Sequence, residues 1–498
     1  MPWAVTVAML LFYVSFLSKR YDGDALKQSG CIWSKPSAAG VNHPFAPLYF
    51  GAWWQLVKAF APEDFVGRMS WLEALNSLLG AGAAGFAVAA IGRMGVSVFQ
   101  SVLGGLILSF SHAWIYHSVQ TTEPMMAQFW LMASIWVALR CQDSVPGAAL
   151  SGVLWAISVG SYQSYILAGP AVLFLAVRRI KPAVAWVVCS GVVGFGLFTL
   201  AAVLNGAGNP GEVIVYLTTK TDGEYWGFLS LSQTVRVPLG FVQALAVPWS
   251  LEDWPGLALG FRKMSMLWRG IFTAQVVVTG AVALWAFVTP VREEHRRLRL
   301  ILWVGLAAGL FPPLYLSPLY NKLWLFPLSF FVLLAVLAAA RSRYGTYALG
   351  SMLALQLAAN IPRVAIHGSD PQNQNLLAAN ALRASMTFED LLVADSWDDS
   401  STFFAMYPQQ ANLKLMFHHG GVSGLEKAIA AAHAAGHRVF VYGLLERSTE
   451  RWLMSDLGTR PGLLRESDIV PFRQRAKLVW RGVDKGSSGD LYELPAVR

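Results

Sequence analysis

The stretch that decides the fold is LWLFPLSFFVLLAVLAA, from Leu323 to Ala339, which carries no charged residue. An apolar helix needs about 20 residues to cross the hydrocarbon core of a bilayer, and this run comes close to that length. Similar runs dominate the chain up to about Asn360. We predict eleven membrane helices, at residues 2–17, 71–91, 98–115, 125–139, 148–160, 165–177, 183–204, 271–288, 301–316, 323–339 and 344–360.

The composition favours a membrane protein with a soluble tail. Hydrophobic residues make up 55% of the chain and charged residues 13%, whereas soluble domains carry about 25% charged residues. Charge density rises to an ordinary level after Asn360. We therefore predict a transmembrane domain over residues 1–360 and a soluble domain over residues 361–498.

Strand-like and helix-like segments alternate in the tail, which is typical of an α/β fold with a small parallel sheet. The predicted strands are residues 390–394, 413–417 and 438–442, and the predicted helices are residues 400–407 and 424–435. The tail contains neither a GxGxxG motif nor a P-loop, so its sequence does not indicate a nucleotide site.

Basic residues lie in alternate connections between the predicted helices, at Arg93, Arg140, Arg178 with Arg179, Arg292 to Arg299, and Arg341 with Arg343. The positive-inside rule makes these connections cytoplasmic. We predict a multi-pass protein of the inner membrane, with a cytoplasmic N-terminus and a periplasmic C-terminal domain. The net charge of +9 follows from this pattern and not from one basic patch, so we expect no nucleic-acid partner.

Four connections face outward under this topology, and the first of them begins with two carboxylates. Asp22 and Asp24 follow the first helix directly. Two carboxylates at a membrane surface can abstract a proton or bind a cation, although Asp-Gly is also a common solvated turn.

The later outward connections carry further ionisable residues. Glu123 precedes Pro124 at a helix start, where an acid either interacts with the helix dipole or serves a site. Asp222 and Glu224 lie in the long connection between residues 205 and 269, in a turn or a binding loop. Lys322 begins an apolar span, where a lysine can snorkel or hold a lipid phosphate.

These segments occur in an order that resembles the GT-C superfamily of membrane glycosyltransferases. The matching segments are Asp22-Gly23-Asp24, His43-Pro44-Phe45-Ala46-Pro47-Leu48-Tyr49, Asn76 to Gly80, Leu103 to Phe110, and Glu123. The resemblance is nearest to the protein O-mannosyltransferase type, whose first outer loop carries Asp-Ser-Gly-Glu and His-Pro-Pro-Gly motifs. The resemblance covers roughly the first 340 residues. The Asp22-Gly23-Asp24 motif lacks the Ser-Gly-Glu spacing of that family, and the motif that begins at His43 lacks its second Pro and its Gly.

The resemblance implies an inverting glycosyltransferase. Such an enzyme moves a sugar from a polyprenyl-phosphate donor to an acceptor hydroxyl on a glycan, lipid or protein. Asp22 or Asp24 would be the catalytic base, Glu123 would lie near the acceptor or a divalent metal such as Mg²⁺ or Mn²⁺, and Lys322 would hold the donor phosphate. His43, Asp222 and Glu224 complete the candidates for substrate binding.

Two other functions fit parts of the sequence. A transporter or flippase for a lipid-linked or polar solute would carry polar residues near the midplane on broken helices, and Gln163 beside Gly160 is of that kind. The acids instead cluster at one face, which favours the enzyme. A membrane scaffold whose tail binds partners is the third interpretation.

Overall fold

A computed structural model describes most of the chain. The described residues are 1–19, 29, 32–33, 45–62, 64–204, 206–218, 231–246, 261–290, 292–316, 321–340, 342–369, 374–387, 389–394, 413–415, 421–442, 445, 466–481 and 490–496. The chain divides into two compact units. Most of the first is Met1–Ser18 and Gly67–Ser369, and most of the second is Asp370–Arg498.

The first unit is built from helices. They are α1 (Pro2–Ser15), α2 (Ala46–Val57), α3 (Phe65–Gly92), α4 (Val98–Ser109), α5 (His112–Ser118), α6 (Pro124–Arg140), α7 (Val145–Ser161), α8 (Gly169–Ala176), α9 (Ile180–Leu204), α10 (Pro210–Thr218), α11 (Leu231–Leu245), α12 (Met266–Val288), α13 (Glu293–Tyr315), α14 (Leu325–Ala339) and α15 (Arg343–Ser369). Two 3₁₀ helices, Gln163–Ala168 and Asn321–Trp324, precede α8 and α14.

Several of these helices suit a membrane. In the part of the chain that the structure describes, five runs are long and apolar enough to cross one, namely α3, α9, α12, α13 and Asn321–Ala339. The bent pair α4–α5 makes a sixth if it counts as one span. The helix α1, the helix α7 and the run Gln163–Ala176 are apolar but shorter. The first unit is therefore a polytopic helical membrane domain. A helix overlies each of the eleven predicted segments, but their number as spans stays a prediction.

The span predicted over residues 98–115 is not straight. Helix α4 ends at Ser109, and α5 starts at an angle of 67° to it. The freed carbonyls are paired within the protein: Tyr13 donates its hydroxyl proton to Ser109 O at 2.9 Å, and Asn360 Nδ2 donates to Phe110 O at 2.7 Å. Such pairing makes a break tolerable at membrane depth, because lipid offers no hydrogen-bond partners.

The two short segments around Gly160 form a hairpin. Helix α7 ends at Ser161, and the chain returns through the 3₁₀ helix and α8. Asp143, just before α7, donates its backbone N–H to Ala176 O at 3.0 Å, at the end of α8. The start and the finish of the hairpin therefore lie at the same end of the unit.

The basic connections of the first unit converge on one face, called the basic face here. The contacts that join them are His295 against Gly95, Arg297 Nη2 to Val177 O at 2.7 Å, Asp143 N to Ala176 O at 3.0 Å, and Gln100 Nε2 to Thr346 Oγ1 at 2.9 Å. The connections with arginines, which alternate along the sequence, thus lie together at one end of the helices.

The second unit contains a five-stranded sheet in the order β2-β1-β3-β5-β4. Its strands are β1 (Leu391–Ala394), β2 (Leu413–Leu415), β3 (Val439–Tyr442), β4 (Lys477–Trp480) and β5 (Leu491–Leu494). Strand β1 runs parallel to β2 and β3, as predicted, but β5 is antiparallel to β3 and β4. The expectation of a parallel sheet is therefore wrong for the last two strands, which the sequence reading missed. The helix predicted over residues 400–407 lies outside the described residues.

Helices cover both faces of this sheet. Helix α16 is Gln374–Ser385, α17 is Gly421–Ala434 and α18 is Glu466–Arg475. Leu425 of α17 and Phe472 of α18 pack with alternate residues of β1 and β3, while Leu382 of α16 packs with the residues between them. This arrangement explains why β3 is apolar at every position, since both of its faces are buried.

Candidate functional site

One face of α3 presents a row of small and polar residues, as the helical spacing of positions 73, 76, 77 and 80 requires. Asn76 Nδ2 donates to Gln120 O at 2.5 Å and to Thr122 O at 2.7 Å. Ser77 Oγ donates to Ser118 O at 2.9 Å. A Cβ at position 80 would overlap the Ser118 side chain. The row therefore holds the chain between α5 and α6 close against α3.

That chain, Val119 to Glu123, is called the polar segment here. Gln120, Thr121 and Thr122 are each at most 1% exposed. Thr122 Oγ1 lies 2.9 Å from His117 Nδ1. Although the segment connects two helices, it is part of the protein interior. Buried polar loops are costly unless they are paired, which makes this segment a candidate for function.

Glu123 ends the polar segment and begins α6. It occupies the N-cap position with Pro124 as the next residue, and its side chain makes no capping hydrogen bond. It is 8% exposed. The structure thus confirms the helix-start position predicted for Glu123, and its burial does not fit a solvated turn.

Both ends of the first long connection are anchored to this region. Ser18, four residues before Asp22 in the sequence, donates its backbone N–H to Val119 O at 3.0 Å. Phe45, two residues after His43, donates its N–H to Gly160 O at 3.3 Å. The candidates Asp22, Asp24, His43, Asp222 and Glu224 themselves lie outside the described residues.

Lys322 lies in the 3₁₀ helix Asn321–Trp324 and is half-buried. This short helix packs against α5 and α11. The rings of Trp324 and Phe241 are 5.6 Å apart, which fixes α11 against the same helix. The structure therefore brings the element that carries Lys322 to α5, the helix that leads into the polar segment.

Glu73, on the same row of α3 as Asn76, is not among the residues predicted from the sequence. It is 0% exposed, and neither of its carboxyl oxygens has a hydrogen-bond partner among the residues that the structure describes. Leaving a buried polar group unpaired costs about 1–3 kcal/mol, and more if the group is charged. The signal was available, because Glu73 falls inside the span predicted over residues 71–91, and ionisable residues within spans mark functional sites.

A second polar cluster links α6, α14 and the 3₁₀ helix Gln163–Ala168 through side-chain hydrogen bonds. Tyr165 donates its hydroxyl proton to Gln128 Oε1 at 2.9 Å, and Gln128 Nε2 donates to Ser329 Oγ at 2.7 Å. Ser329 Oγ in turn donates to Leu325 O at 2.9 Å. Gln128 therefore connects α6, whose N-cap is Glu123, to α14, which follows the short helix that carries Lys322.

Among the residues that the structure describes, no group of three or more His, Cys, Asp or Glu side chains could hold a metal ion.

The fold is similar to those of two solved GT-C glycosyltransferases, the superfamily that the order of the sequence segments resembles. The structure of ArnT from Cupriavidus metallidurans bound to undecaprenyl phosphate matches over 99% of this chain and 98% of that chain, with a TM-score of 0.59 and 12% sequence identity. Archaeal oligosaccharyltransferase AglB from Archaeoglobus fulgidus, in complex with an inhibitory peptide and a dolichol-phosphate, matches over 91% of this chain and 70% of that chain, with a TM-score of 0.54 and 11% identity.

No protein family model and no curated protein sequence matches the chain. The likeness therefore lies in the fold, and the finer resemblance to protein O-mannosyltransferases stays a prediction.

Proposed function

We propose that the chain is a membrane glycosyltransferase that moves a sugar from a polyprenyl-phosphate donor to an acceptor hydroxyl at the periplasmic face. The observation that carries this proposal is the fold shared over 99% of the chain with a protein whose structure holds undecaprenyl phosphate. The buried polar segment, joined to the end of α1 at Ser18, supports a site at the helix ends opposite the basic face.

The reaction needs a base at that face, because an acceptor hydroxyl is a weak nucleophile until its proton is removed. We assign this role to Asp22 or Asp24, which follow Ser18 in the sequence. The acceptor oxygen attacks the anomeric carbon, the bond from that carbon to the phosphate oxygen breaks, and the configuration inverts. The base keeps the proton, and the polyprenyl phosphate leaves with the bonding electrons.

Negative charge grows on the leaving phosphate as the sugar departs, and a fixed cation stabilises it. We assign this role to Lys322, whose short helix packs against α5. Glu123, at the end of the polar segment, lies near the acceptor in this proposal, and His43, Asp222 and Glu224 contact the substrates. No step is assigned to a divalent metal.

A water-free site protects the donor from hydrolysis. Helix α11 packs against the short helix that carries Lys322, and Asn360 Nδ2 donates to Leu245 O at the end of α11 at 2.9 Å. We propose that α11 covers this side of the site. This position supports the proposal, because a helix that is held in place by a buried hydrogen bond can exclude water from the reacting carbon.

The test is a transfer assay on the purified full chain in proteoliposomes with radiolabelled polyprenyl-phosphate sugars. A glycosyltransferase yields a labelled glycan, lipid or protein and releases polyprenyl phosphate. A transporter or flippase instead moves the intact donor between the leaflets and yields no transfer product. Movement without product would replace this proposal by the transport function.

A further inference from the structure

The carboxyl group of Glu73 is buried without a hydrogen-bond partner among the described residues. Glu73 lies two turns into α3 and is 0% exposed, and within the described ranges neither of its oxygens has a hydrogen-bond partner. Asn76 Oδ1, one turn further along the same row, and Thr121 Oγ1, in the polar segment, also have no partner in the described part of the chain. Both donor protons of the Asn76 amide are already bound to carbonyls, so its Oδ1 is fixed as an acceptor.

The contacts along α3 show where Glu73 lies relative to the polar segment. Gly80 lies against Ser118, and Asn76 contacts Gln120 and Thr122. Later residues of the segment therefore contact earlier residues of α3, and the segment runs antiparallel to that helix. Glu73 is three residues further, about 4.5 Å along the axis at 1.5 Å per residue. The register therefore points Glu73 towards the end of the segment that leads to Glu123.

The missing partner must bring hydrogen-bond donors, because an amide oxygen only accepts and a carboxyl group keeps acceptor oxygens in either protonation state. Adjacent hydroxyl groups on a sugar ring offer two donors side by side, which matches the two oxygens of one carboxylate. Hydrogen bonds to an ionised group are also the stronger kind. An isolated ionised carboxylate is too costly to bury without such partners.

We infer that Glu73 binds hydroxyl groups of the donor sugar, and this inference rests on the proposed glycosyltransferase function. Glu73 takes two neighbouring hydroxyls, and Asn76 Oδ1 and Thr121 Oγ1 are placed to accept from the rest of the ring. Glu73 is then a residue that determines the choice of sugar, distinct from the phosphate contact assigned to Lys322.

The test compares two probes in lipid nanodiscs by native mass spectrometry. The first is a panel of undecaprenyl-phosphate-linked mannose, glucose, galactose and arabinose, and the second is undecaprenyl phosphate without a sugar. The proteins are the full-length wild type, Glu73→Met and Glu73→Gln. The matched control is Gln356→Met, because Gln356 on α15 is also 0% exposed and has unpartnered side-chain atoms.

We expect Glu73→Met to weaken binding of the best sugar-linked lipid by about ten- to a hundredfold, the effect of losing a hydrogen bond to a charged group. Binding of undecaprenyl phosphate should stay unchanged. Glu73→Gln keeps one acceptor oxygen and should lose less. Gln356→Met should bind both probes as the wild type does. If Glu73→Met does not fold, the selective loss in Glu73→Gln decides the question.

Unchanged sugar binding in Glu73→Met, an equal loss for both probes, or the same loss in Gln356→Met would overturn the inference. A wild type that binds sugar-linked and sugar-free lipids equally would also overturn it, because there would be no sugar site for Glu73 to form. A wild type that binds no lipid phosphate would instead remove the proposed function, and this inference with it.

Discussion

Asn76 on α3 donates to the backbone carbonyl of Thr122 at 2.7 Å, and its other amide proton goes to the carbonyl of Gln120 at 2.5 Å. These bonds cross from a long helix to the connection between two others. The Gln120 carbonyl also accepts the Thr122 N–H at 3.0 Å, so Asn76 is its second donor. This relationship fixes the polar segment, and with it the position of Glu123.

Replacing Asn76 with Leu should therefore destabilise the segment. The change removes the Asn76 bond to the buried Thr122 carbonyl, at about 1–3 kcal/mol, and one of the two bonds to the Gln120 carbonyl. The melting temperature and the transfer rate should therefore both fall. Ser77→Ala is the matched control, because it removes one hydrogen bond from α3 to the last residue of α5, at Ser118 O, and should cost less. A transfer rate and a melting temperature equal to the wild type in Asn76→Leu would show that this bond does not shape the site.

The base assignment predicts a loss of chemistry without a loss of binding. Asn in place of Asp22 or Asp24 keeps the shape but removes the basicity, so transfer should drop by about 10²- to 10⁴-fold in the variant that lacks the base. Donor binding and expression should survive. Glu293→Gln, on the basic face, is the control and should transfer normally. Normal transfer by both single variants and by the double variant would rule out both residues.

Lys322 is expected to hold the donor phosphate as a point charge. Lys322→Arg should keep part of the activity, whereas Lys322→Met should weaken donor affinity by roughly ten- to a hundredfold, the effect of losing a hydrogen bond worth about 1.5–3 kcal/mol. The measurement is donor titration on purified protein, with Arg93→Met as the control for charge loss. A snorkelling lysine predicts less folded protein but unchanged kinetics per folded molecule, and that outcome would remove Lys322 from the site.

The second unit should lose stability in acid through Asp390. Burial raises the pKa of this carboxyl group, but N–H donors of Thr387 and Arg438 and the Arg438 guanidinium at 2.8 Å together lower it below its ordinary value. A lowered pKa means that the ionised group stabilises the fold above the unfolded value of about 3.9. That contribution is lost as pH falls through the folded pKa.

Hydrogen exchange of β1 and β3 in the full chain measures this effect. Protection in the wild type should fall as pH drops below about 4, whereas Asp390→Asn should be weaker at neutral pH by about 1.5–3 kcal/mol and should lack this step. Glu389→Gln, beside it and more exposed, is the control. An unchanged acid step in Asp390→Asn would assign the pH dependence to another group.

The basic face predicts the orientation of the chain. Its arginines should face the cytoplasm, so eleven spans would leave Arg498 outside. A reporter active only in the cytoplasm and fused to Arg498 should give no signal, and the same reporter in the connection at Arg93 should be active. Strong activity at Arg498 would mean that the number of spans is even and not odd, and the C-terminal domain would then be cytoplasmic.

Local pattern was sufficient for much of the fold. Apolar runs located most helices of the first unit. Strands β1 to β3 were predicted because short apolar segments alternate with a helical one. Strands β4 and β5 were missed, since Lys477–Trp480 is largely exposed and its sequence carries no clear apolar period.

The candidate site was predictable only as an ordered set of acids and one lysine. The sequence placed Glu123 at a helix start, and the structure agrees. It gave no sign that the polar segment is buried, because the burial depends on Asn76, which is 44 residues before Gln120 in the chain. Glu73 was passed over although it falls inside the span predicted over residues 71–91, where an ionisable residue is a sign of function.

The sequence by itself determined that this is a many-helix membrane protein with a separate α/β tail and a basic face, because hydrophobicity and charge act locally along the chain. The tertiary structure alone decided where the helices break and which polar groups are left unpaired. The bend between α4 and α5 is stabilised by Asn360, which lies 250 residues from Phe110. Such a partner cannot be read from a local pattern, because a buried carbonyl must be paired by whatever side chain the fold brings to it.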